Sequence, residues 1–346
     1  MTVPSVRDRW VQQAMLQVLT KVFDPGFSKW SFGFRPRKGA HDAVLAAKNH
    51  VVEGYRWVVD LDLEKFFDLV NHDVLMARVA RKVKDKRALR LIRLFLKAGV
   101  LSEGLVSPTI EGTPQGGPLS PILSNVLLDD LDKELEKRGH KFCRYADDCN
   151  VYVRSRRAGE RLMASLTRFL EKHLRLRVNK QKSAVDEHGK RQFLGYSIIG
   201  KGLPRLRVAP DREKRVKKGL KPLLRAARGN SIPQTLKRLS PKIRGWVGYY
   251  KVCDVKAAFQ RLDEWVRRRV RAIYWRHWKK PKTRVKNLMK QGLNKETARK
   301  AVQNGRGPWW NAKAPAMNLA FPNQKLRNFG LTSFLEEFQR LKRPVG

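Results

Sequence analysis

The sequence predicts an α+β domain built on a small antiparallel sheet, then an all-α, strongly basic domain, divided as 1–205 and 206–346. Three observations carry this. The run at 55–63 alternates as a strand does, with Trp57, Val59, Leu61 and Leu63 on one face and Val58, Asp60 and Asp62 on the other. Tyr145-Ala146-Asp147-Asp148 lies between an apolar-leaning run at 141–144 and a strand-like run at 150–153 and reads as a hairpin bend. Charge then shifts along the chain: residues 1–205 carry 38 Lys+Arg against 23 Asp+Glu, and residues 206–346 carry 37 against 8.

The elements follow in order. Residues 6–22 read as an amphipathic helix ending before Asp24-Pro25-Gly26, and 40–52 as a second helix after a Gly/Pro/Arg loop at 32–39. The strand at 55–63 comes next, then a basic helical stretch at 71–98. A Gly/Pro loop at 111–121 ends in Ser120-Pro121, an N-cap and first-turn proline, with Leu123, Leu127, Leu131 and Leu135 as the apolar ridge behind them. After the hairpin come a helix near 158–174 and short strands at 176–178 and 192–199. Beyond 211 the pattern is helical at about 212–229, 232–239, 254–279 and 294–303.

Composition bounds the function class. With 42% hydrophobic residues the chain has material for a sizeable core. Its 75 Lys+Arg against 31 Asp+Glu give a net charge of +44, an excess that calls for a polyanion, nucleic acid before membrane. No stretch approaches the ~18 consecutive apolar residues of a membrane span, and no targeting pattern opens the chain. Cys143, Cys149 and Cys253 form no CxxC pair, which argues against a zinc module or a disulfide framework. The expectation is a soluble, cytoplasmic, nucleic-acid-binding protein with no membrane partner.

Chemistry is carried by four patterns. Asp62 ends a strand and is followed by Phe66-Phe67; with Asp147 it would offer oxygen ligands from two elements, as a hard divalent ion requires. Gly112-Thr113-Pro114-Gln115-Gly116-Gly117 lets backbone approach a ligand closely, with the Gln115 amide beside it. Asp147 and Asp148 can both turn toward one ion at a bend. Lys182, in Asn179-Lys180-Gln181-Lys182, could donate a proton to a leaving pyrophosphate.

The order strand Asp, Gly-Gln loop with helix, Asp-Asp hairpin, Asn/Lys segment is that of reverse transcriptase palm motifs. The chain resembles bacterial group II intron-encoded reverse transcriptase/maturases. Matching blocks are Val3 to Arg9 with Gln12-Gln13-Ala14, Gly33 to Arg37 with Ala40 to Ala43, and Asp62 to Phe67 with Asn71-His72-Asp73. Gly112 to Pro121, Tyr145 to Asp148, Val178 to Ser183 and Phe193-Leu194-Gly195-Tyr196 complete the polymerase part. Ile243-Arg244-Gly245-Trp246 with Tyr249-Tyr250 resembles the maturase (X) region, and 306–339 the C-terminal tail. Nearly the whole chain is covered.

The resemblance implies a right-hand polymerase fold, partial fingers and palm followed by a thumb/maturase domain. It implies an RNA-directed DNA polymerase with two Mg²⁺ ions held by Asp62, Asp147 and Asp148, and Lys182 as general acid. Phe67 matches the steric gate against a ribose 2′-OH, Gln115 and Gly116 the pocket under the incoming nucleotide, Arg35 and Arg37 the fingers block, and Phe193 to Tyr196 the primer grip. Arg244, Trp246, Tyr249 and Tyr250 match the RNA-binding surface. Partners implied are the group II intron RNA, a template RNA with a DNA primer, deoxynucleoside triphosphates and target DNA. Trp265 and Trp275 read as helix packing, and Trp309-Trp310 as contact residues.

Two departures from the family's pattern bear on activity. The Val3-Pro4 block is normally preceded by a fingers extension, and an endonuclease module often follows the tail. The alternatives are a splicing cofactor with an inactive, truncated polymerase, and a domesticated or defence-associated relative copying another RNA.

Overall fold

A computed structural model describes residues 5–97, 100–102, 105–107, 112, 117–200, 202–227 and 231–343. The chain divides into two compact units, Met1–Pro204 and Arg205–Gly346.

The first unit is α+β. Helix α1 (Val6–Phe23) is capped by Ser5, whose Oγ accepts from the Asp8 backbone N–H at 3.2 Å, and α2 (Ala40–Val52) follows the loop at 32–39. Strand β1 is Trp57–Leu61, with a short 3₁₀ turn at Phe66–Asp68. The basic helical stretch at 71–98 is made of two helices, α3 (His72–Lys82) and α4 (Lys86–Lys97). The break comes at Asp85, whose carboxylate accepts from the backbone N–H of Arg87 and Ala88 and so starts a new helix. Strands β2 (Val100–Ser102) and β3 (Leu105–Ser107) pair with each other. Then come α5 (Ser120–Lys137), β4 (Lys141–Tyr145), β5 (Asp148–Val153) and α6 (Arg156–Phe169), the last closing in a π-helical turn at Leu170–Leu174.

Strand β6 (Ala184–Glu187) is absent from the sequence reading because it lies at the sheet edge and shows no buried/exposed alternation. The strand expected at 192–199 is shorter, β7 (Tyr196–Ile199), because Leu194 (φ +51°) and Gly195 (φ +81°) make a tight turn before it. The run at 176–178 reduces to a single bridge from Val178 to Leu63.

The sheet runs β4-β5-β1-β6, antiparallel throughout. Helix α6 packs on β1, β5 and β6, while α2 and α5 pack against β4. One core joins Val59, Leu61, Phe142 and Val151 of the sheet to Leu123, Leu127 and Leu131 of α5 and Leu162 and Leu166 of α6. The approach of α6 is close: a Cβ on Gly159 would lie 2.5 Å from Val185 Cγ1, so no larger residue fits there unless the helix moves.

The second unit opens with β8 (Arg205–Val208) and continues as helices: α7 (Pro210–Ala226), α8 (Ile232–Tyr249), α9 (Ala257–His277), α10 (Pro281–Lys290) and α11 (Lys295–Val302). Four short helices end it, α12 (Pro308–Asn311), α13 (Pro315–Ala320), α14 (Asn323–Asn328) and α15 (Phe334–Lys342). Helix α8 runs past the expected end at 239 and through Pro241, because its buried stripe Leu236, Leu239, Ile243 and Val247 continues on one face. Helices α7, α12 and α15 pack on α9, whose Trp275 is fully buried.

Polar side chains of α9 anchor the segment that follows Val302, among them Asp263 and Arg271. Buried Asp263 accepts from the backbone N–H of Phe334 (2.8 Å) and Leu335 (3.0 Å) and from Ser333 Oγ (2.7 Å), capping α15. Arg271 donates through Nε (3.0 Å) and Nη2 (2.8 Å) to the Phe321 carbonyl. No helix among the described residues is long and apolar enough to cross a membrane.

Candidate active site

The site forms where the β4–β5 hairpin meets the end of β1. Tyr145 pairs with Asp148 across the bend, and Ala146 sits in the left-handed region at φ +58°. Strand β1 pairs Asp60 with Asn150 and Leu61 with Cys149, so one further step puts Asp62 opposite Asp148. Opposed residues of an antiparallel pair share a face. Asp62, Asp147 and Asp148 are all half-buried at this edge. Their oxygens suit a hard divalent cation. Among the described residues no three acidic, His or Cys side chains converge closely enough to hold a metal ion, so the structure places the carboxylates next to one another without gathering them.

What fixes the bend is a buried network that the sequence reading missed. Arg144 is fully buried and paired with fully buried Asp132 of α5, Nε to Oδ1 at 2.7 Å and Nη2 to Oδ2 at 2.6 Å. Nη1 donates to the Ala146 carbonyl in the bend (2.9 Å) and to Asn125 Oδ1 (3.0 Å), and Nη2 to Ser31 Oγ (2.8 Å). Asn125 Nδ2 in turn donates to the Gly33 carbonyl (2.9 Å). Burial pulls the Arg144 guanidinium down, but the charge and hydrogen bonds of Asp132 outweigh it and hold the pKa above its ordinary value. The 28–35 loop is laid on the hairpin in the same way: Phe32 N–H donates to the Arg144 carbonyl (2.8 Å) and Arg144 N–H to the Trp30 carbonyl (3.0 Å). A Cβ on Gly33 would lie 2.3 Å from the Ala146 nitrogen, so glycine is required for that contact. The signal was present as Asn125 and Asp132, two polar residues seven apart on a helix buried on most sides.

Lys182 reaches the site through a strand-like pairing. Asn179 N–H donates to the Asp62 carbonyl (2.8 Å), and Asp62 N–H donates to Ser183 Oγ (3.0 Å). Lys182 Nζ then lies 4.0 Å from Asp62 Oδ1. Arg191, also unread, donates through Nε to Asp60 Oδ2 (2.9 Å) and through Nη2 to the Lys182 carbonyl (2.9 Å), tying this turn to the sheet. Burial raises the Asp60 pKa against the pull of Arg191. Asp60 is therefore committed to Arg191, although Asp62 and Asp186 lie near enough to raise its pKa further.

Phe67 is half-buried and packs edge-on against Phe66, with ring centroids 5.2 Å apart. Gly112 is pinned beside it: its N–H donates to the Val70 carbonyl (2.8 Å), and its carbonyl meets His72 Nε2 at 2.5 Å. Gln115 and Gly116 lie outside the described residues. Arg35 is spent within its own loop, donating through Nε to Asp24 Oδ1 (2.6 Å), through Nη2 to the Asp24 carbonyl (2.9 Å) and through Nη1 to the Ser28 and Ser31 carbonyls. Arg37 is exposed. In the 193–196 turn Phe193 and Tyr196 are buried, and each backbone N–H donates to the other's carbonyl at 2.9 Å. In the second unit Arg244 and Tyr249 are exposed, Trp246 packs on Tyr250, Phe259 and Phe334, and Tyr250 is buried, which pushes its hydroxyl up to about 12.

Residues 1–198, the whole segment that builds this site, match the family described as reverse transcriptase (RNA-dependent DNA polymerase). The chain belongs to the reverse transcriptase family. Residues 213–292 match the group II intron, maturase-specific domain. Among similar proteins, Protein YkfC of Escherichia coli (strain K12) is 32% identical over 238 residues, covering 58% of this chain and 62% of that protein. Group II intron-encoded protein LtrA of Lactococcus lactis subsp. cremoris is 38% identical over 142 residues, covering 41% of this chain and 24% of that one. The chain thus spans less than two thirds of either relative. A solved telomerase from Candida tropicalis with a fragment of telomeric RNA is similar at a TM-score of 0.47 and 14% identity, over 97% of this chain and 56% of that one. In reverse transcriptase terms, the four-stranded sheet is the palm.

Proposed function

We propose that this reverse transcriptase is an RNA-directed DNA polymerase of a group II intron that also binds the intron RNA to promote splicing and mobility. The observation that carries the reading is Asp62 standing opposite Asp148 at a hairpin bend held by buried Arg144. Template RNA with a DNA primer, deoxynucleoside triphosphates, the intron RNA and target DNA are its partners, and the cytoplasm its compartment.

Asp62, Asp147 and Asp148 would hold two Mg²⁺ ions, which when bound supply the charge that activates a primer 3′-OH and steadies pyrophosphate. The chain's own residues do the rest. Phe67 crowds the sugar 2′ position, Gln115 and Gly116 lie under the nucleotide, and Arg37 meets the triphosphate while Arg35 holds the loop that carries it. Lys182 gives its proton to the departing pyrophosphate. The turn at 193–196 offers backbone to the primer. On the maturase side Arg244 and Tyr249 contact RNA, with Trp246 and Tyr250 bracing the helix beneath them.

The test is extension of a DNA primer on an RNA template with Mg²⁺ and deoxynucleotides. Extension by the wild type, absent in Asp147→Ala, is the expected result. A second reading is an RNA-binding splicing cofactor with an idle palm, and the same assay separates the two. RNA binding without any extension by the wild type would decide for the second.

A further inference from the structure

Helices α7 and α9 of the second unit pack against each other, and each turns a basic row toward the seam. On α7, Lys221 and Arg225 are four apart; on α9, Arg269 and Arg276 are seven apart. Spacings of four and seven keep residues on one helix face. The four cations ring a cavity of about 170 Å³ floored by Leu224 and Ile273, with no acidic residue in its lining. Among the described residues none of the four makes an ion pair, and Arg269 Nε is buried without a hydrogen-bond partner. That is costly: a buried donor without an acceptor forfeits its hydration, and like charges repel.

Arg269 is nevertheless held in place. Its guanidinium lies over the Trp309 ring at 4.5 Å and the Trp265 ring at 5.5 Å. Stacking fixes the plane of a guanidinium while leaving its N–H donors to radiate from the edge. Burial, and then Arg276, Arg225 and Arg268, hold its pKa below the ordinary value, so the crowding has no internal remedy. A row of carbonyls could satisfy one donor, but only an anion offsets four charges. The volume admits a tetrahedral oxyanion with a few waters, each water taking about 30 Å³.

We infer that this seam grips one phosphate group of a nucleic-acid backbone through Arg225, Arg269 and Arg276, with Lys221 at the rim. The inference rests on the RNA-binding reading above and deepens it by naming a contact point. Arg supplies paired donors to phosphate oxygens, and pre-stacked Arg269 loses little freedom in doing so.

The experiment is a salt titration of structured-RNA binding by the full chain, from about 50 to 200 mM. R225Q/R276Q removes two exposed charges and should fold as the wild type does. K290Q/K295Q removes two exposed charges elsewhere in the same unit and serves as the control. We expect R225Q/R276Q to bind roughly ten-fold more weakly, with a log–log salt slope shallower by about one, and the control to keep the wild-type slope. R269Q should behave as R225Q/R276Q does. Equal effects of the two double variants, or no effect of either, overturn the pocket. A wild type that binds no RNA overturns the functional reading and the pocket with it, whereas wild-type binding with unchanged slope in R225Q/R276Q overturns the pocket alone. Thermal stabilisation by inorganic phosphate that R225Q/R276Q abolishes, with an unchanged RNA slope, assigns the seam to free phosphate and overturns the backbone contact.

Discussion

At the scale of single residues, Arg144 decides the shape of the bend that presents Asp147 and Asp148. Its side chain joins the hairpin carbonyl, the 28–35 loop and helix α5. Arg144→Met would leave Asp132 charged, fully buried and unpaired, which costs about 3–5 kcal/mol. A urea titration should show that loss, and Asp132→Asn combined with Arg144→Met should recover part of it. Gly33→Ala makes a different prediction. Its Cβ would press on the Ala146 nitrogen at 2.3 Å, so primer extension should fall far more than the melting temperature does. His50 provides a pH signal. Burial first, and Lys141 after it, lower its pKa despite Glu53, so the fold keeps the ring neutral against Trp30 and Tyr152. Below the ordinary value of 6.5 the unfolded chain takes up a proton that the folded chain resists, so stability rises with pH through this window and is lost on acidification. Burial and then Arg138 move His140 the same way. Denaturation midpoints between pH 7 and 5 should fall, and His50→Gln should flatten part of that fall.

At the scale of elements, α6 lies on the sheet because Gly159 lets it. Gly159→Val should destabilise the first unit by about 1–3 kcal/mol through overpacking against Val185, Val153 and Val59, measurable as a shifted denaturation midpoint at unchanged slope. Elements with a strong apolar period are legible in the sequence: α5 behind its leucine ridge, α6, and β1 with its alternation. β6 is not, because an edge strand with little burial carries no period. The division of α3 from α4 turns on one capping side chain, Asp85, inside a run whose helical pattern never lapses. The same contrast holds at the site. The strand end before Asp62 and the bend at Asp147-Asp148 are readable because alternation and a turn between runs mark them. Arg144 is not, because one half of a buried ion pair looks in sequence like any surface charge, and only Asn125 and Asp132 on an otherwise apolar helix hint at its partner.

At the scale of the whole molecule, charge is the dominant fact: +44 overall, with 37 Lys+Arg against 8 Asp+Glu after residue 205. So strong an excess opposes compaction until a polyanion binds. The melting temperature should therefore rise with added RNA, and the rise should shrink steeply with salt as counterion release loses its force. In the proposed reading the basic surface supplies binding and the palm supplies chemistry, and one measurement separates the two most directly. It is single-nucleotide addition to a DNA primer on an RNA template, with Mg²⁺, at matched RNA occupancy, by the wild type and by Asp62→Asn, Asp147→Asn and Asp148→Asn. The account predicts addition by the wild type and a loss of at least about a thousand-fold in each variant with RNA affinity kept, as when a transition-state electrostatic contact is removed. Addition that survives in Asp147→Asn, or a wild type that binds RNA and adds nothing, would contradict it.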